Sequence, residues 1–278
     1  MAANQKIGAK SRFSENGFRS KTAEPLGFGA SAVIHQETNT ATVVMRPTNA
    51  TDVVDDNRFG YYGFVRKEIA PLLPSKAERI LEIGAASGGT LKWLKQQFPG
   101  AVTTAVERNE DLRVALDKNA DKTLIGPIED VVAELETYDL ILLLDVLEHL
   151  DEPDKLLRQL HEKLDNDGII IVSIPNVAHL SVSLPLLFLR KFEYQDAGIL
   201  DRTHKRFFTD TSAVALLNGA GFRVSKGIML GIRGRKAKFI DLISFGLIKH
   251  HLTKQYAMCA EKVSTDFKQT DMRWMGNV

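Results

Sequence analysis

The sequence predicts an α/β fold: an open, doubly wound, mostly parallel sheet with helices on both faces. Three observations carry this. Between residues 79 and 175, short apolar runs alternate with amphipathic helical patterns. One run, YDLILLLDV (Tyr138 to Val146), is apolar on both strand faces, as suits an interior strand of a parallel sheet. The stretch LEIGAASGGT (Leu81 to Thr90) sets small residues between a strand and a helix, where the backbone must approach something closely.

The elements follow in order. Residues 1–56 form an N-terminal extension. Its first thirty residues are rich in Lys, Arg, Ser, Gly and Asn and are expected to be mobile. TATVVMRP (Thr40 to Pro47) predicts a short strand. DDNRFGYYGFVRKEIAPLLP predicts a helix capped by Asp56 or Asn57 and ended by Pro71 and Pro74. RILEI is then a buried strand, and GGTLKWLKQQF a helix with Leu91 and Leu94 inward. AVTTAVE is a strand, NEDLRVALDKN a helix, KTLIG a strand and YDLILLLDV a strand. EPDKLLRQLHEKL is a helix with Pro153 in its first turn. DGIIIVSIP is the fifth strand of the series.

Here the rhythm breaks. Residues 179–206 have no clean period, and we expect them to close over the carboxyl edge of the sheet as a cap. TDTSAVALLNGAG is a helix, FRVSKGIML a strand, KFIDLISFGLIKHHL an apolar helical segment and QYAMCAEK the last of seven strands. Residues 263–278 are a polar tail.

Composition narrows the functions. Lys plus Arg number 36 against 35 acids, a net charge of +1, so no global field draws nucleic acid, and no nucleic-acid partner is expected. The single cysteine, Cys259, excludes an internal disulfide framework and fits a reducing, cytoplasmic setting. The N-terminus lacks a signal-peptide core, and no apolar run reaches the roughly 18 residues of a membrane span. The nearest, LSVSLPLLFLR (Leu180 to Arg190), is too short and contains a proline. Oligomeric state leaves no mark.

The small-residue turn admits several ligands. A phosphate loop would end in Gly-Lys-Ser/Thr, absent here. A dinucleotide turn, G-x-G-x-x-G, is met at Gly84, Ala86 and Gly89, and Glu107 follows 23 residues after Gly84, where a ribose partner stands. That reading implies an NAD(P)-dependent oxidoreductase. Tight packing with no ligand is the plainest alternative.

The same residues resemble the class I S-adenosylmethionine-dependent methyltransferases. Glu82, Gly84, Ala86 and Gly88 occupy that family's acid-x-Gly-x-Gly-x-Gly motif, with alanine at the central glycine. LLLDVLEHLDEP (Leu142 to Pro153) resembles its fourth-strand motif, and GILDRTHKRFFT (Gly198 to Thr209) a segment of a branch linked with sugar and cell-surface metabolism. The resemblance implies a Rossmann-like sheet of seven strands with the last antiparallel, in a methyltransferase domain over residues 57–262. It implies S-adenosylmethionine as cofactor, held by Tyr62, Glu82, Gly84, Ala85, Ala86, Ser87 and Gly88, by Glu107 and Arg108, by Ile128 and Glu129 beside the adenine, and by Asp145 and Val146. A tyrosine and an arginine before the first strand line the mouth in many relatives.

Methyl transfer needs alignment above all, and a hydroxyl acceptor also needs its proton removed. His149 and His204 are the candidate catalytic residues; His179 also lies near the expected mouth. Asp145, Glu148 and His149 are spaced i, i+3, i+4, and with His204 they form a candidate divalent site for Mg²⁺, Mn²⁺ or Zn²⁺. The pattern resembles the metal-dependent small-RNA 2′-O-methyltransferases, which have glutamate where Asp145 stands. A second reading stays open: Asp145 touches the cofactor, Glu148 caps the next helix and His149 acts alone. The expected reaction is O-methylation of a small-molecule acceptor, a sugar or metabolite hydroxyl. Alternatives are an N-, carboxyl- or RNA 2′-O-methyltransferase, or a non-catalytic binding subunit.

Overall fold

The structure, a computed structural model, describes residues 64–231, 248–263 and 273–275, with the backbone of two short strands at 32–33 and 44–45. The chain divides into two compact units, Met1–Val54 and Asp55–Val278. In the first, β1 (Ala32–Val33) pairs antiparallel with β2 (Val44–Met45), the latter within TATVVMRP.

The second unit is built on one sheet. Its strands are β3 (Arg79–Ile83), β4 (Val102–Glu107), β5 (Lys122–Ile125), β6 (Tyr138–Leu144), β7 (Leu164–Pro175), β8 (Phe222–Leu230), β9 (Gln255–Lys262) and β10 (Arg273–Met275). Their spatial order is β10-β8-β9-β7-β6-β3-β4-β5. The neighbours from β7 through β6, β3 and β4 to β5 are parallel, and β9 runs against both β7 and β8. Chain order reverses between β6 and β3, so the crevice beyond their carboxyl ends is where such sheets bind ligands.

Among the described residues seven helices accompany the strands: α1 (Gly89–Gln97), α2 (Arg113–Asn119), α3 (Ile128–Val131), α4 (Pro153–Lys163), α5 (Leu180–Leu189), α6 (Asp210–Gly219) and α7 (Lys249–Leu252). Alternate residues of the central strands enter two cores. Leu81, Ile83, Ile141 and Leu143 pack with Leu156, Leu157 and Leu160 of α4. Ile80, Leu140 and Leu142 pack on the other face with Leu91 and Leu94 of α1. This is why β6 had to be apolar at nearly every position.

Three features differ from the sequence expectation, and a fourth expectation falls mostly outside the described residues. Before β3, the described part of the expected helix is a 3-10 turn, Lys67–Leu72, with Pro71 inside it; Asp56, Asn57 and Tyr62 lie outside the described residues. The cap opens with a helix, α5, which is apolar all round and therefore has no period to read. Of the apolar KFIDLISFGLIKHHL segment, only residues 248–252 are described, and α7 is their helix. The polar tail supplies β10, an eighth strand parallel to β8. Trp274 explains its place: the ring packs 4.9 Å from that of Tyr256, over Gly227. Three residues are too few to announce a strand by pattern. No helix among the described residues is long and apolar enough to cross a membrane.

Candidate active site

The turn after β3 is held by its neighbour. Gly84 N–H and Ala85 N–H both donate to the Val106 carbonyl, at 2.8 and 3.2 Å. Gly84, Ala86 and Gly88 have φ of +72°, +49° and +78°. Ala86 thus takes the left-handed conformation at the position where the resembled motif has glycine. A side chain at Gly84 would meet Val146 Cγ2 at 2.9 Å. Gly88 caps α1 through its backbone alone, which leaves the helix N-terminus facing the crevice.

Three carboxylates face this turn from the strands. Glu107, at the end of β4, accepts from Ala86 N–H through Oε2 and from Asn109 N–H through Oε1, both at 2.9 Å. Glu82 is buried, and its Oε2 has no partner among the described residues. Burial pushes its pKa up to about 8, against the hydrogen bond from Thr90 and the charge of Arg66. Asp145, just past β6, stands at φ +61°. Its Oδ2 accepts from Arg66 Nη1 at 2.8 Å, and its Oδ1 from Ser173 Oγ at 2.7 Å and from Gln255 Nε2. Arg66 also donates to Glu68 and, at 3.1 Å, to Ser173.

Two adjoining cavities of about 490 and 610 Å³ share Gly84, Glu107, Asp145 and His149. The first is lined by Phe64, Arg66, Glu82, Ala86 and Thr90. The second adds Arg108, Ile128, Glu129, Val146 and Thr203. A third, of about 570 Å³, lies around Ser75 to Arg79 and Gln97 to Val102, at the opposite, amino edge of the strands.

The cap brings the histidines together. The rings of His149 and His204 meet edge to face, 4.8 Å between centroids. Nδ1 of His149 lies 3.3 Å from the Thr203 carbonyl, and Nδ1 of His204 lies 3.1 Å from that of Ile199. Each ring thereby keeps Nε2 for another partner. Burial lowers the pKa of His149, and the neighbouring His204 adds to this. Glu148 lies beneath, 1 % exposed, and neither carboxylate oxygen has a hydrogen-bond partner among the described residues. Burial and the charge of Asp145 hold its pKa well above the ordinary carboxylate value. Ligand atoms of Glu148, His149 and His204 lie within 4.8 Å of one another.

Of the four expected metal ligands, the structure groups these three. Asp145 stands apart, its oxygens turned to Arg66, Ser173 and Gln255. Glu148 does not cap α4: the N-cap is Glu152, and no side chain fills that role. What Glu148 does supply is its backbone carbonyl, which accepts from Lys205 and Arg206 N–H at 2.7 and 3.0 Å and ties the cap to the site. His179 is the N-cap of α5, accepting from Ser181 N–H at 3.1 Å. Among the partners of Asp145, Arg66 stands where the resemblance expects an arginine, whereas Ser173 and Gln255 carried no signal.

Comparison with known proteins gives the family and the fold. The family described as a methyltransferase domain matches residues 56–226, more than half the chain. A ubiquinone biosynthesis O-methyltransferase of Azorhizobium caulinodans is 28% identical over 166 residues, covering 56% of this chain and 62% of that protein. An (S)-coclaurine N-methyltransferase of Thalictrum flavum subsp. glaucum is 24% identical over 99 residues, 34% of this chain and 27% of that protein. The chain thus spans less than two thirds of either relative. A SAM-dependent methyltransferase from Archaeoglobus fulgidus shares the fold, with TM-score 0.52 and 20% identity over 74% of this chain and 92% of that one.

Proposed function

The chain belongs to the methyltransferase-domain family, and from that premise we propose that it transfers a methyl group from S-adenosylmethionine to a hydroxyl of a small polar acceptor, a sugar or metabolite. One observation carries the hydroxyl: two imidazoles and a buried, unpartnered carboxylate converge beside the cofactor crevice. A hydroxyl must lose its proton to become a nucleophile, and neutral imidazole takes it. An amine acceptor needs only to be neutral.

The cofactor's ammonium suits the unpaired oxygen of Glu82. The N-terminus of α1 and the turn's N–H groups suit its carboxylate. Glu107, already oriented by Ala86 and Asn109, would accept from the ribose hydroxyls, with Ile128, Glu129 and Arg108 beside the adenine. Asp145, pinned by Arg66, would border the methionine end next to Val146. Ala85, Ser87 and Gly88 complete the turn, and Tyr62 remains the proposed residue from the segment before β3. Positioning of this kind can contribute roughly 7–11 kcal/mol.

The chemistry of Glu148, His149 and His204 also fits a divalent ion such as Mg²⁺ or Mn²⁺, because the Glu148 carboxylate is buried without a hydrogen bond and the two imidazoles keep Nε2. Such an ion acidifies a bound hydroxyl. His149 and His204 would hold it, and the cap backbone at Thr203 and Ile199 would fix their rings.

Calorimetry tests the reading. Adenosylhomocysteine should bind tightly and NADH should not. Tight NADH binding would favour the oxidoreductase instead. Turnover on hydroxyl but not amine acceptors then tests the acceptor atom.

A further inference from the structure

Helix α5 is the anomaly of the fold. Seven of its ten residues are aliphatic or aromatic, yet only Val182 is buried. Leu187, Phe188 and Leu189 are 72%, 73% and 64% exposed, and Leu184 and Leu186 lie in the open as well. A helix that is apolar all round is stable only when something covers it. The exposed surface continues past the helix. Phe192 packs 5.8 Å from Tyr194 and 5.5 Å from Phe207, and Phe207 lies 6.3 Å from His204.

The helix ends abruptly on charge. Arg190 takes φ +55°, a conformation usually left to glycine, and turns the chain out of α5. Lys191 follows, and both are exposed. Lys191 reaches Glu193 at 3.8 Å, whereas Arg190 has no carboxylate partner among the described residues. Residues 179–206 carry five cations against three acids, although the chain is near neutral.

From these features we infer that α5 docks the protein on an anionic lipid bilayer, its leucines and Phe188 in the headgroup boundary and Arg190 and Lys191 against the lipid phosphates. Charge complementarity selects a lipid surface. Size argues against a second copy: a ten-residue helix about 15 Å long and roughly 10–12 Å across presents a face on the order of 150–180 Å², far short of the roughly 800 Å² per partner that a stable dimer buries. The same length excludes a span and suits a helix lying in the interface. The rings at 188, 192 and 194 stand where aromatic groups anchor at that boundary. This inference does not depend on which acceptor is methylated.

The test is cosedimentation of the full chain with vesicles. One set is phosphatidylcholine with one third phosphatidylglycerol; the other is phosphatidylcholine alone. Binding is expected to the first, at least tenfold weaker to the second, and reduced by added salt. Leu187→Glu with Phe188→Glu should abolish it, and Arg190→Glu with Lys191→Glu should weaken it more than tenfold. Unchanged melting and adenosylhomocysteine affinity would show these variants folded. Equal binding to both vesicle types, no binding, or binding indifferent to these substitutions overturns the inference. So does a dimer in light scattering that Leu187→Glu dissolves, which would assign the helix to a second copy. Shielding of Leu187→Cys from a thiol reagent in the lipid-free monomer would also overturn it, because the chain's own residues would then be the cover.

Discussion

Arg66 and Asp145 meet at 2.8 Å across 79 residues of sequence, joining the segment before β3 to the left-handed residue after β6. The guanidinium side chain is 12% exposed and the carboxylate 39%, so the pair is partly screened. The electrostatics agree: burial opposes the charge of Arg66, but Asp145 and Glu68 outweigh it and raise its pKa. Arg66→Ala should cost about 1–3 kcal/mol, because it leaves Asp145 and Ser173 short of a donor. Arg66→Lys should recover the charge but not the two-pronged contact. Urea denaturation measures both. A loss below about 0.5 kcal/mol for Arg66→Ala would mean that the pair anchors nothing.

Glu107 is already held by two backbone N–H groups, so its carboxylate is oriented before any ligand arrives. Charge-assisted bonds to two ribose hydroxyls would be worth roughly 1.5–3 kcal/mol each. Glu107→Ala is therefore expected to weaken adenosylhomocysteine well over tenfold by calorimetry. Some loss of stability should accompany it, since Ala86 and Asn109 lose their acceptor. Full affinity in the variant would remove Glu107 from the cofactor site.

Glu82 predicts a pH effect with a definite sign. Burial raises its pKa from the ordinary carboxyl value of 4.5 to about 8. Between those values the folded state holds a proton that the unfolded state has released. Stability is thus fullest below about pH 4.5 for this group, falls as pH rises, and levels off above about 8. Glu82→Gln should flatten that slope in melts across the range. An ammonium bound beside Glu82 favours its ionised form, so adenosylhomocysteine binding near pH 7 should release a proton. Calorimetry in buffers of different ionisation enthalpy reads this directly, and proton uptake would refute the assignment.

The sheet was legible because its strands are short, apolar and evenly spaced. QYAMCAEK is β9 residue for residue, and RILEI is β3. The turn was legible because only small residues tolerate φ near those of Gly84 and Gly88. Helix α5 was hidden because uniform apolarity has no period. Ser173 and Gln255 were hidden for a different reason: they join Asp145 through strand adjacency, β7 beside β6 and β9, which no local pattern encodes. The grouping of Glu148 with His149 followed from spacing, but the exclusion of Asp145 depended on its left-handed turn toward Arg66.

The eighth strand lays Trp274 directly over Gly227 of β8. A Cβ added to Gly227 would lie 2.4 Å from the Trp274 ring, too close for both to stay. Gly227→Val should expel Trp274 and release β10 while leaving β8 paired with β9. Trp93, on the other face, is buried, so the change in tryptophan emission toward longer wavelength should come from Trp274. The control is Trp274→Phe, which should show no such shift when Gly227→Val is added. An unshifted spectrum in Gly227→Val alone would mean that Trp274 does not pack there.

The cluster of Glu148, His149 and His204 separates two proposed chemistries by measurement. Glu148 is the decisive residue. A carboxyl buried without a hydrogen bond is costly to ionise, and a divalent ion would compensate that cost. If the cluster holds an ion, Mn²⁺ should raise the melting temperature, and Glu148→Gln or His204→Ala should abolish the rise. Asp145→Asn should leave it intact, since Asp145 points to Arg66. Thorough chelation should then remove turnover, and Mg²⁺ or Mn²⁺ should restore it. If the histidines act without metal, Mn²⁺ leaves the melting temperature unchanged and chelation leaves turnover intact. In both cases His149→Ala should lower kcat about 10²–10⁴-fold, the range for loss of a positioned acid–base group. The lowered pKa of His149, caused chiefly by burial, keeps the ring neutral at pH 7. The acid limb of kcat/KM should therefore fall below about pH 6.5, the ordinary histidine value. An acid limb above that value, or full activity in His149→Ala, would take His149 out of the reaction.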